Sequence, residues 1–445
     1  MPPTASFDIV HEPRARAAVL PAGGKPFHAG GEDKPAMRII VWGINYAPEV
    51  TGIAPCNVRL CEGLAARGHS VEMVTSFAYY PAWKKRRKDK YWLFRTDKLN
   101  GIPVHRCWQY VPWRVTAVRR ILHEASFVLT SFLKVGGMEA PDVYIVVSPP
   151  LLLGVAAWVA SYLKYAPFVF HVQDLQPDAA LGLGMLRPNA FTRLLYLLET
   201  IAYCKSALLS GITPGMLDRF RQKGQPSDKL VYFPNSVDAV DPAALPAPGA
   251  FRRKHGIAPG EFLAVYSGNL GFKQGIEILI EAAGLVTRGN VRMVICGGGS
   301  RLASLEATIT ASNLGTRILL LPLQETEAYH EMLVDADVCL ITQQRGSGRS
   351  FFPSKLLTAL AFGKPVVTVS EEDSELYRAH REGGFGPNVL PGQPRELAGT
   401  LEKLAGAPAL LEPYRRASLE FGKRFDTDKV LDGFEESLRS ILHEG

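Results

Sequence analysis

Short apolar segments alternate with helical segments along most of the chain, and this alternation most strongly constrains its fold. The first unit is the strand MRIIVWG, the helical segment APCNVRLCEGLAARG and the strand SVEMVTSF, with Gly68 at the position of a helix C-cap. Further strands are predicted at 143–147, 168–172, 207–212 and 230–233. Strands that alternate with helices form parallel sheets covered by helices. The sequence therefore predicts an α/β fold.

A second series of the same kind follows residues 239–260, a segment rich in Pro, Ala and Gly that we interpret as a linker. Its predicted strands are FLAVYSG, VRMVICG, RILLLP, ADVCLIT and KPVVTVS, with helices near 275–287, 301–313, 325–335 and 354–362. A last helix near 428–442 has Val430, Leu431, Phe434, Leu438 and Ile441 on one face. Two parallel-sheet domains in tandem imply a cleft at the carboxyl ends of their strands, where ligands of such folds bind.

The length of 445 residues suits two domains of about 200 residues each. We expect an N-terminal domain at 37–238, a C-terminal domain at 261–425, and a helix in 426–445 that packs back on the first domain. Residues 1–36 lack the apolar region of a signal peptide and are predicted to be a disordered extension. Residues 143–163 carry no charge and are long enough to span a bilayer. A Ser-Pro-Pro sequence inside them favours strand, turn and helix, with a transmembrane helix as the alternative.

Positive charge is concentrated in the N-terminal half. Residues 37–240 carry 24 Lys and Arg against 14 Asp and Glu, a net of +10, whereas residues 241–445 carry a net of −3. The segment WKKRRKDKYWLF, residues 83–94, holds six Lys and Arg in seven positions, bracketed by aromatic residues. Such a run is typical of contact with an anionic membrane or nucleic acid, or of a solvated loop. The six cysteines show no metal-ligand spacing and resemble buried thiols of a reducing cytosol, so no metal site is predicted.

Residues 116–134 have the spacing of an amphipathic helix. One face carries Arg119, Arg120, His123 and Glu124. The apolar stripe on the opposite face consists of Val118, Ile121, Leu122, Ala125, Val128, Leu129, Phe132 and Leu133.

Two turns at predicted strand ends have the composition of phosphate-binding turns. In APEVTG, Gly52 lies between a strand and a helix start, where free N–H groups favour an anion. The turn YSGNLGFKQG repeats this order and adds Lys273, a point charge that can neutralise a diphosphate. An ordinary strand-to-helix turn is the alternative for the first. The segment CGGGS lacks the third glycine of a dinucleotide fingerprint, which favours a tight turn over a nicotinamide site.

The segment GSGRSFFPSKLLTALAFGKPVV predicts a Gly/Ser loop, a helix that begins near Pro353, and a strand. Arg349, Ser350, Ser354 and Lys355 lie at the positive end of this helix. These side chains are candidates for a clamp on a nucleotide diphosphate and its sugars. A capped helix with solvated charges is the alternative.

A third candidate group lies in HVQDLQPD, directly after a predicted buried strand. Polar side chains at a strand end reach the cleft of a parallel sheet. By alternation His171 and Gln173 face one side and Asp174 the other, if the strand extends that far. No Ser-His-Asp set, EF-hand or zinc spacing is found in the sequence.

Taken in order, these segments resemble the retaining glycosyltransferases of family 4, which have the GT-B fold, and above all the colanic-acid-type bacterial exopolysaccharide glycosyltransferases. The resemblance runs from Met37 to about Ser370. Its segments are GINYAPEVTG, LAARGHSVEMVTSFAYYP, VQDLQPD, GITPGMLDRFRQKG, FPNSVD, YSGNLGFKQGIEILIEAA and PSKLLTALAFGKPVV. The combination is specific, whereas no single segment is.

The resemblance implies two facing Rossmann-like domains, a nucleotide-sugar donor held mainly by the second, an acceptor held by the first, and neither metal nor cofactor. It implies that Gly52 approaches the donor phosphates and that the backbone of Leu323 contacts the base. The implied donor site also contains Gly268, Asn269, Lys273, Arg349, Ser350, Ser354, Lys355 and Thr358. The implied acceptor site contains Glu49, Gln173 and Asp174.

The chain departs from the family pattern at four of these positions. Many members carry two glutamates with seven residues between them, where this chain has Ser350 and Thr358. Asn269 stands where many have Arg, and Gln173 where many have His. Lys355 is a candidate substitute as a phosphate ligand. An inactive homologue remains an alternative.

We interpret the chain as an enzyme that moves a sugar from a nucleotide diphosphate, with UDP favoured, to a lipid-linked glycan. Lys273 and Lys355 would stabilise the leaving diphosphate, and Asp174 would hold acceptor or sugar. We expect a cytoplasmic protein at the anionic inner-membrane surface, with no nucleic-acid partner. The predicted membrane residues are Trp83, Lys84, Lys85, Arg86, Arg87, Lys88, Lys90 and Trp92. The alternatives are an epimerase or hydrolase of the same fold and a nucleic-acid-binding protein.

Overall fold

A computed structural model describes residues 35–50, 52–80, 82–114, 116–182, 189–348 and 352–443. The predicted extension therefore lies, up to residue 34, outside the described residues. Within the described ranges, no helix combines the length and apolar character that a membrane span requires. Residues 143–163 form a strand, a turn and a helix, as the Ser-Pro-Pro sequence predicts.

In the described part of the first half, eight strands form one sheet, in the order β3-β4-β2-β1-β5-β6-β7-β8. All neighbours are parallel except β3 and β4. The strands are β1 Arg38–Trp42, β2 Ser70–Ser76, β3 Phe94–Leu99, β4 Ile102–Cys107, β5 Val143–Ser148, β6 Phe168–Val172, β7 Leu208–Gly211 and β8 Leu230–Tyr232. The helices are α1 Ala54–Ala66, α2 Ala117–Gly136, α3 Leu152–Lys164, α4 Gln176–Gly182, α5 Ala190–Lys205 and α6 Pro214–Gln222.

The second half forms a six-stranded sheet in its described part, in the order β11-β10-β9-β12-β13-β14, with every neighbouring pair parallel. The strands are β9 Phe262–Asn269, β10 Val291–Gly298, β11 Ile318–Leu321, β12 Val338–Thr342, β13 Val366–Val369 and β14 Asn388–Val389. The helices are α7 Ala250–Lys254, α8 Glu277–Leu285, α9 Leu302–Ala311, α10 Thr326–Asp335, α11 Lys355–Ala361, α12 Glu375–Gly383, α13 Pro394–Gly406 and α14 Leu411–Gly422, and a final helix α15 spans Thr427–His443.

The central strands of both sheets are buried on both faces. Every residue of β5 and β6 is buried, because helices cover a parallel sheet on both sides, and such strands read as continuous apolar runs. This explains why the apolar runs predicted these strands correctly. The edge strand β3 instead alternates half-buried and exposed residues, and its sequence FRTDKL is mostly polar.

The sequence analysis missed the hairpin of β3 and β4. Asn100 and Gly101 form its two-residue turn, and both have positive φ, at 47° and 85°. Asn-Gly is the strongest short-range hairpin signal, because both residues adopt this conformation readily. The signal was therefore present in the sequence.

The last helix packs on the first sheet rather than the second. Leu431, Phe434 and Leu438 belong to the core cluster formed with β1 and α1. Phe434 stacks on Phe233 at 3.8 Å between ring centroids, and a Cβ added to Gly63 of α1 would collide with Leu431. The predicted linker 239–260 is only partly a connection, because α7 lies within it and buries Phe251 in a core cluster of the second half. The two halves are joined by the segment before α7 and by the returning helix.

Most of the apolar stripe of α2 faces away from the sheet, although Val128 and Phe132 pack partly buried on the core. Within it His123, Phe127, Thr130 and Ser131 are buried. Five residues of the stripe are exposed: Val118, Ile121, Leu122, Leu129 and Leu133. Hydrophobic periodicity therefore predicted the helix but not the side that faces the core.

Candidate active site

The candidate site lies where the carboxyl ends of β6 and β9 face each other. Asp174 follows β6, and Lys273 lies in a single 3-10 turn, Phe272–Gln274, after β9. Burial raises the pKa of Asp174, while the positive charges of Lys273 and of Arg120 on α2 oppose that rise. The structure thus brings together a carboxylate and two cations from different elements. The sequence analysis placed Arg120 on a polar helix face but missed its position beside Asp174.

Lys355, at the start of α11, is buried rather than solvated. Its Nζ lies 3.7 Å from the centroid of the Tyr266 ring and, within the described part of the chain, has no hydrogen-bond partner. Burial lowers the pKa of Lys355 to about 7. A Cβ added to Gly268 would lie 3.4 Å from this Nζ. The backbone at Gly268 therefore covers an unpartnered ammonium group, and the alternative of a solvated charge is wrong for this residue.

The CGGGS segment serves the packing of β10 against β9. Gly297 pairs with Gly268 in the parallel register. A Cβ added to Gly297 would collide with the carbonyl oxygen of Gly268. This glycine therefore lets the two strands approach behind the candidate site, in agreement with a backbone role rather than a nicotinamide site.

Glu49 is committed to the protein itself. One carboxylate oxygen accepts hydrogen bonds from the backbone N–H groups of Tyr79 and Tyr80 at 2.8 and 2.9 Å. The other accepts from Asn45 Nδ2 at 2.8 Å. Burial of the side chain raises the pKa of Glu49, and these hydrogen bonds lower it by less. Glu49 thus ties the loop after β1 to the loop after β2, and its assignment to acceptor binding stays a prediction.

Gln173 is likewise satisfied within the fold. Its amide exchanges two hydrogen bonds with Asn235, at 2.8 and 2.9 Å, and its Nε2 lies 2.8 Å from His171 Nε2. His171 Nδ1 lies 2.9 Å from Ser210 Oγ, and burial lowers the pKa of this histidine to about 3. The polar atoms of Gln173 bond within the wall of the cleft, and its contact with the acceptor stays a prediction. His171 and Gln173 lie together, as alternation predicts.

The remaining predicted donor residues are spread over the second sheet and the first turn. Gly52 has a φ of +68°, which permits its tight turn before α1. Asn269 is exposed at the end of β9, and Leu323 is exposed just after the edge strand β11. Ser354 is exposed, and Thr358 is hydrogen-bonded to the Tyr329 hydroxyl. Arg349 and Ser350 lie outside the described residues.

The basic segment 83–94 is only partly exposed. The Trp83 ring packs 5.3 Å from Tyr79 and 5.2 Å from His123. Lys85 Nζ lies 4.5 Å from the Trp108 ring, and burial lowers its pKa to about 8. These two predicted membrane residues are therefore half-buried against the rest of the domain. The other predicted membrane residues are exposed: Lys84, Arg86, Arg87, Lys88, Lys90 and Trp92.

The described residues contain no group of three His, Cys, Asp or Glu positioned to hold a metal ion. The cysteines are unpaired thiols. Activity without metal therefore stays a prediction that needs a binding experiment.

Two parallel-sheet domains that face each other across this cleft define a GT-B glycosyltransferase. A family model described as a glycosyl transferase 4-like domain matches residues 51–236, and one described as glycosyl transferases group 1 matches residues 249–412. The colanic acid biosynthesis glycosyl transferase WcaI assigned in Escherichia coli K12 is 31% identical over 415 residues, covering 91% of this chain and 100% of that protein. The chain belongs to the exopolysaccharide-type glycosyltransferases of family 4.

Solved structures agree on the fold. Anabaena HepE, determined in complex with UDP-glucose, superposes with a TM-score of 0.66 at 17% identity, covering 91% of this chain and 100% of that chain. WaaG, a glycosyltransferase involved in lipopolysaccharide biosynthesis, gives 0.63 at 16% identity, covering 91% and 99%. At these identities the likeness is one of fold.

Proposed function

We propose that the enzyme transfers the sugar of a UDP-sugar to a lipid-linked glycan during the synthesis of a bacterial surface polysaccharide, with retention of anomeric configuration and without metal. The observation that carries this proposal is the pair of cations at the end of β9. Lys273 lies opposite Asp174, and Lys355 lies without a partner beneath Gly268. A diphosphate at Gly268 would give both ammonium groups a counter-charge. The UDP complexes of HepE support the choice of nucleotide.

The proposed reaction needs no separate base. The acceptor hydroxyl oxygen forms a bond to the anomeric carbon as the bond from that carbon to the diphosphate oxygen breaks. The electron pair of the broken bond stays on the diphosphate, and the acceptor proton passes to a phosphate oxygen. Lys273 and Lys355 stabilise the charge that develops on the leaving group. Asp174 orients the acceptor, and the cleft excludes water.

The exposed positive charge of the basic segment 83–94 supports association with the cytoplasmic face of an anionic membrane. Five of the exposed side chains of the basic segment are Lys or Arg, and each is worth about 1 kcal/mol near such a surface. A lipid-linked acceptor would be met there.

The test is release of UDP from UDP-sugars in the presence of EDTA, with and without a glycan-lipid fraction. Release that requires the acceptor supports the transferase. Release without acceptor would identify a hydrolase, and an exchange of sugar configuration without release would identify an epimerase. Binding of UDP that appears only with magnesium would contradict metal independence.

A further inference from the structure

Helix α2 is held both by the buried side chains Phe127 and Val135 and by polar contacts. His123 Nδ1 hydrogen-bonds the Tyr110 carbonyl oxygen at 2.5 Å, and Thr130 Oγ1 donates to the Trp108 carbonyl oxygen at 2.6 Å. These bonds satisfy backbone groups of the segment after β4, and they turn the apolar stripe outward. The exposed fractions along that stripe are 68% for Val118, 54% for Leu122, 63% for Leu129 and 60% for Leu133.

The neighbouring helix continues the apolar surface. Helix α3 packs against α2, and Lys164 Nζ at its end donates to the Met138 carbonyl oxygen just beyond α2. Tyr162, Leu163 and Tyr165 are exposed at this end of α3. Monomeric soluble proteins rarely expose large contiguous apolar patches without a function. We call the exposed stripe of Val118, Ile121, Leu122, Leu129 and Leu133 the outer α2 face.

The charges around this face are positive. Trp113, which precedes α2, is exposed, and the guanidinium groups of Arg114 and Arg119 lie 4.5 and 5.4 Å from its ring. Helix α3 has no acidic residue in its sequence. The single carboxylate of α2, Glu124, pairs with Arg120 at 3.1 Å. An apolar stripe flanked by bases and an interfacial Trp is complementary to an anionic lipid surface rather than to another basic copy of this chain.

We infer that the outer α2 face inserts into the interfacial region of an anionic bilayer, with α2 lying along the membrane plane. This contact is apolar and therefore distinct from the salt-sensitive attraction of the basic segment. Trp83 of that segment packs on His123 of α2, so the two surfaces belong to one rigid part of the molecule.

The position of α2 relates the membrane contact to acceptor binding, an inference that rests on the proposed function. Arg120 on the same helix acts on Asp174 at the end of β6. If α2 lies among the lipid headgroups, Asp174 and the acceptor side of the cleft would lie close to the glycan of a lipid-linked acceptor.

The experiment is flotation of the full chain with vesicles of phosphatidylglycerol and phosphatidylcholine, using the uncharged double variant Leu122→Gln/Leu129→Gln. The matched control is Leu410→Gln/Leu419→Gln, which changes two exposed leucines of the second half. We expect the parent and the control to retain binding at about 1 M salt, where the Debye length is about 3 Å. The α2 variant should partition at least about tenfold more weakly at that salt concentration. Thermal melting and UDP calorimetry verify that each variant is folded.

Equal partitioning of the α2 variant and the control would overturn the inference. A parent that is dimeric by light scattering, with an α2 variant that is monomeric and binds vesicles unchanged, would assign the face to self-association and also overturn it. Replacing Lys84, Arg86, Arg87 and Lys88 by Gln should remove only the salt-sensitive part of binding. A parent that binds vesicles but no nucleotide would contradict the proposed function and leave the docking face standing.

Discussion

The two walls of the cleft differ in how their polar groups are satisfied. On the wall formed by the first sheet, Gln173 and Asn235 exchange amide hydrogen bonds, and Glu49 in the loop after β1 accepts from two backbone N–H groups of the loop after β2. On the wall that follows β9, Lys355 is buried without a partner in the described residues. Buried polar groups are nearly always hydrogen-bonded. Gln173 and Glu49 are therefore satisfied by the fold itself, whereas Lys355 is not, and the proposed diphosphate would supply its counter-charge.

A second buried lysine shows that burial alone does not explain Lys355. Lys364 also has a pKa lowered by burial, but its Nζ donates to the carbonyl oxygens of Val334 and Ala336 at 2.8 and 3.0 Å. Lys364 contributes to structure, since removing it leaves two buried carbonyls unpaired. Lys355 has no such bonds to lose.

The largest expected effect tests the wall formed by the first sheet. Glu49→Ala leaves the N–H groups of Tyr79 and Tyr80 without their acceptor, and an unsatisfied buried donor costs about 1–3 kcal/mol. We expect the free energy of unfolding in urea to fall by about 2–4 kcal/mol, with UDP affinity unchanged. Glu306→Ala, exposed on α9, is the control. If the Glu49→Ala variant has normal stability but does not use acceptor, Glu49 contributes to acceptor binding rather than to stability.

The next effect tests the wall that follows β9. Lys355→Met keeps the side-chain volume and removes the buried ammonium, so the melting temperature should rise, while loss of a charge-assisted contact should lower turnover by about 10- to 100-fold. Lys364→Met should instead lower the melting temperature and leave the turnover per folded molecule unchanged. Steady-state assays with thermal melting decide between them. If turnover of Lys355→Met stays within about twofold of the parent, Lys355 does not stabilise the leaving diphosphate.

The gain in stability from Lys355→Met should depend on pH. The folded state holds the Lys355 pKa at about 7 against an ordinary value of 10.5. Between these values the unfolded chain binds the extra proton, so the parent gains stability as pH rises. The advantage of the variant should therefore be larger at pH 7 than near pH 10, as urea titrations at several pH values will show. A constant advantage would mean that Lys355 is not titrating in the fold.

The smallest effect concerns nucleotide binding. Above about pH 7 the phosphate of UDP is already ionised, whereas free Lys355 loses its proton. Binding of the anionic diphosphate favours protonated Lys355, so the complex must take up a proton. The affinity for UDP should fall as pH rises above 7, by up to about tenfold per pH unit. Calorimetry should give a flat profile for Lys355→Met over this range. A slope that persists in the variant would place the titrating group elsewhere.

The sequence predicts most of the fold because burial on both faces leaves continuous apolar runs, as in β5 and β6. It predicts less where a contact joins distant segments. The hydrogen bonds of Glu49 were not predicted, because its two N–H partners lie about thirty residues away on another loop. Tyr266, which covers Lys355, lies on a different element, and no local pattern links them. Periodicity placed an apolar stripe on α2 but could not reveal that hydrogen bonds from His123 and Thr130 turn it outward.

The returning helix has a consequence for how this chain is made. Arg67, at the end of α1, contacts Asp428 of α15 across 361 residues of sequence. A ribosome releases α1 and β1 long before it synthesises the helix that covers them. One flank of the first domain must therefore stay uncovered during translation of the whole second domain, a period in which exposed apolar surface invites aggregation. The nascent chain should bind chaperones at this flank, and release of the last residues should end that dependence.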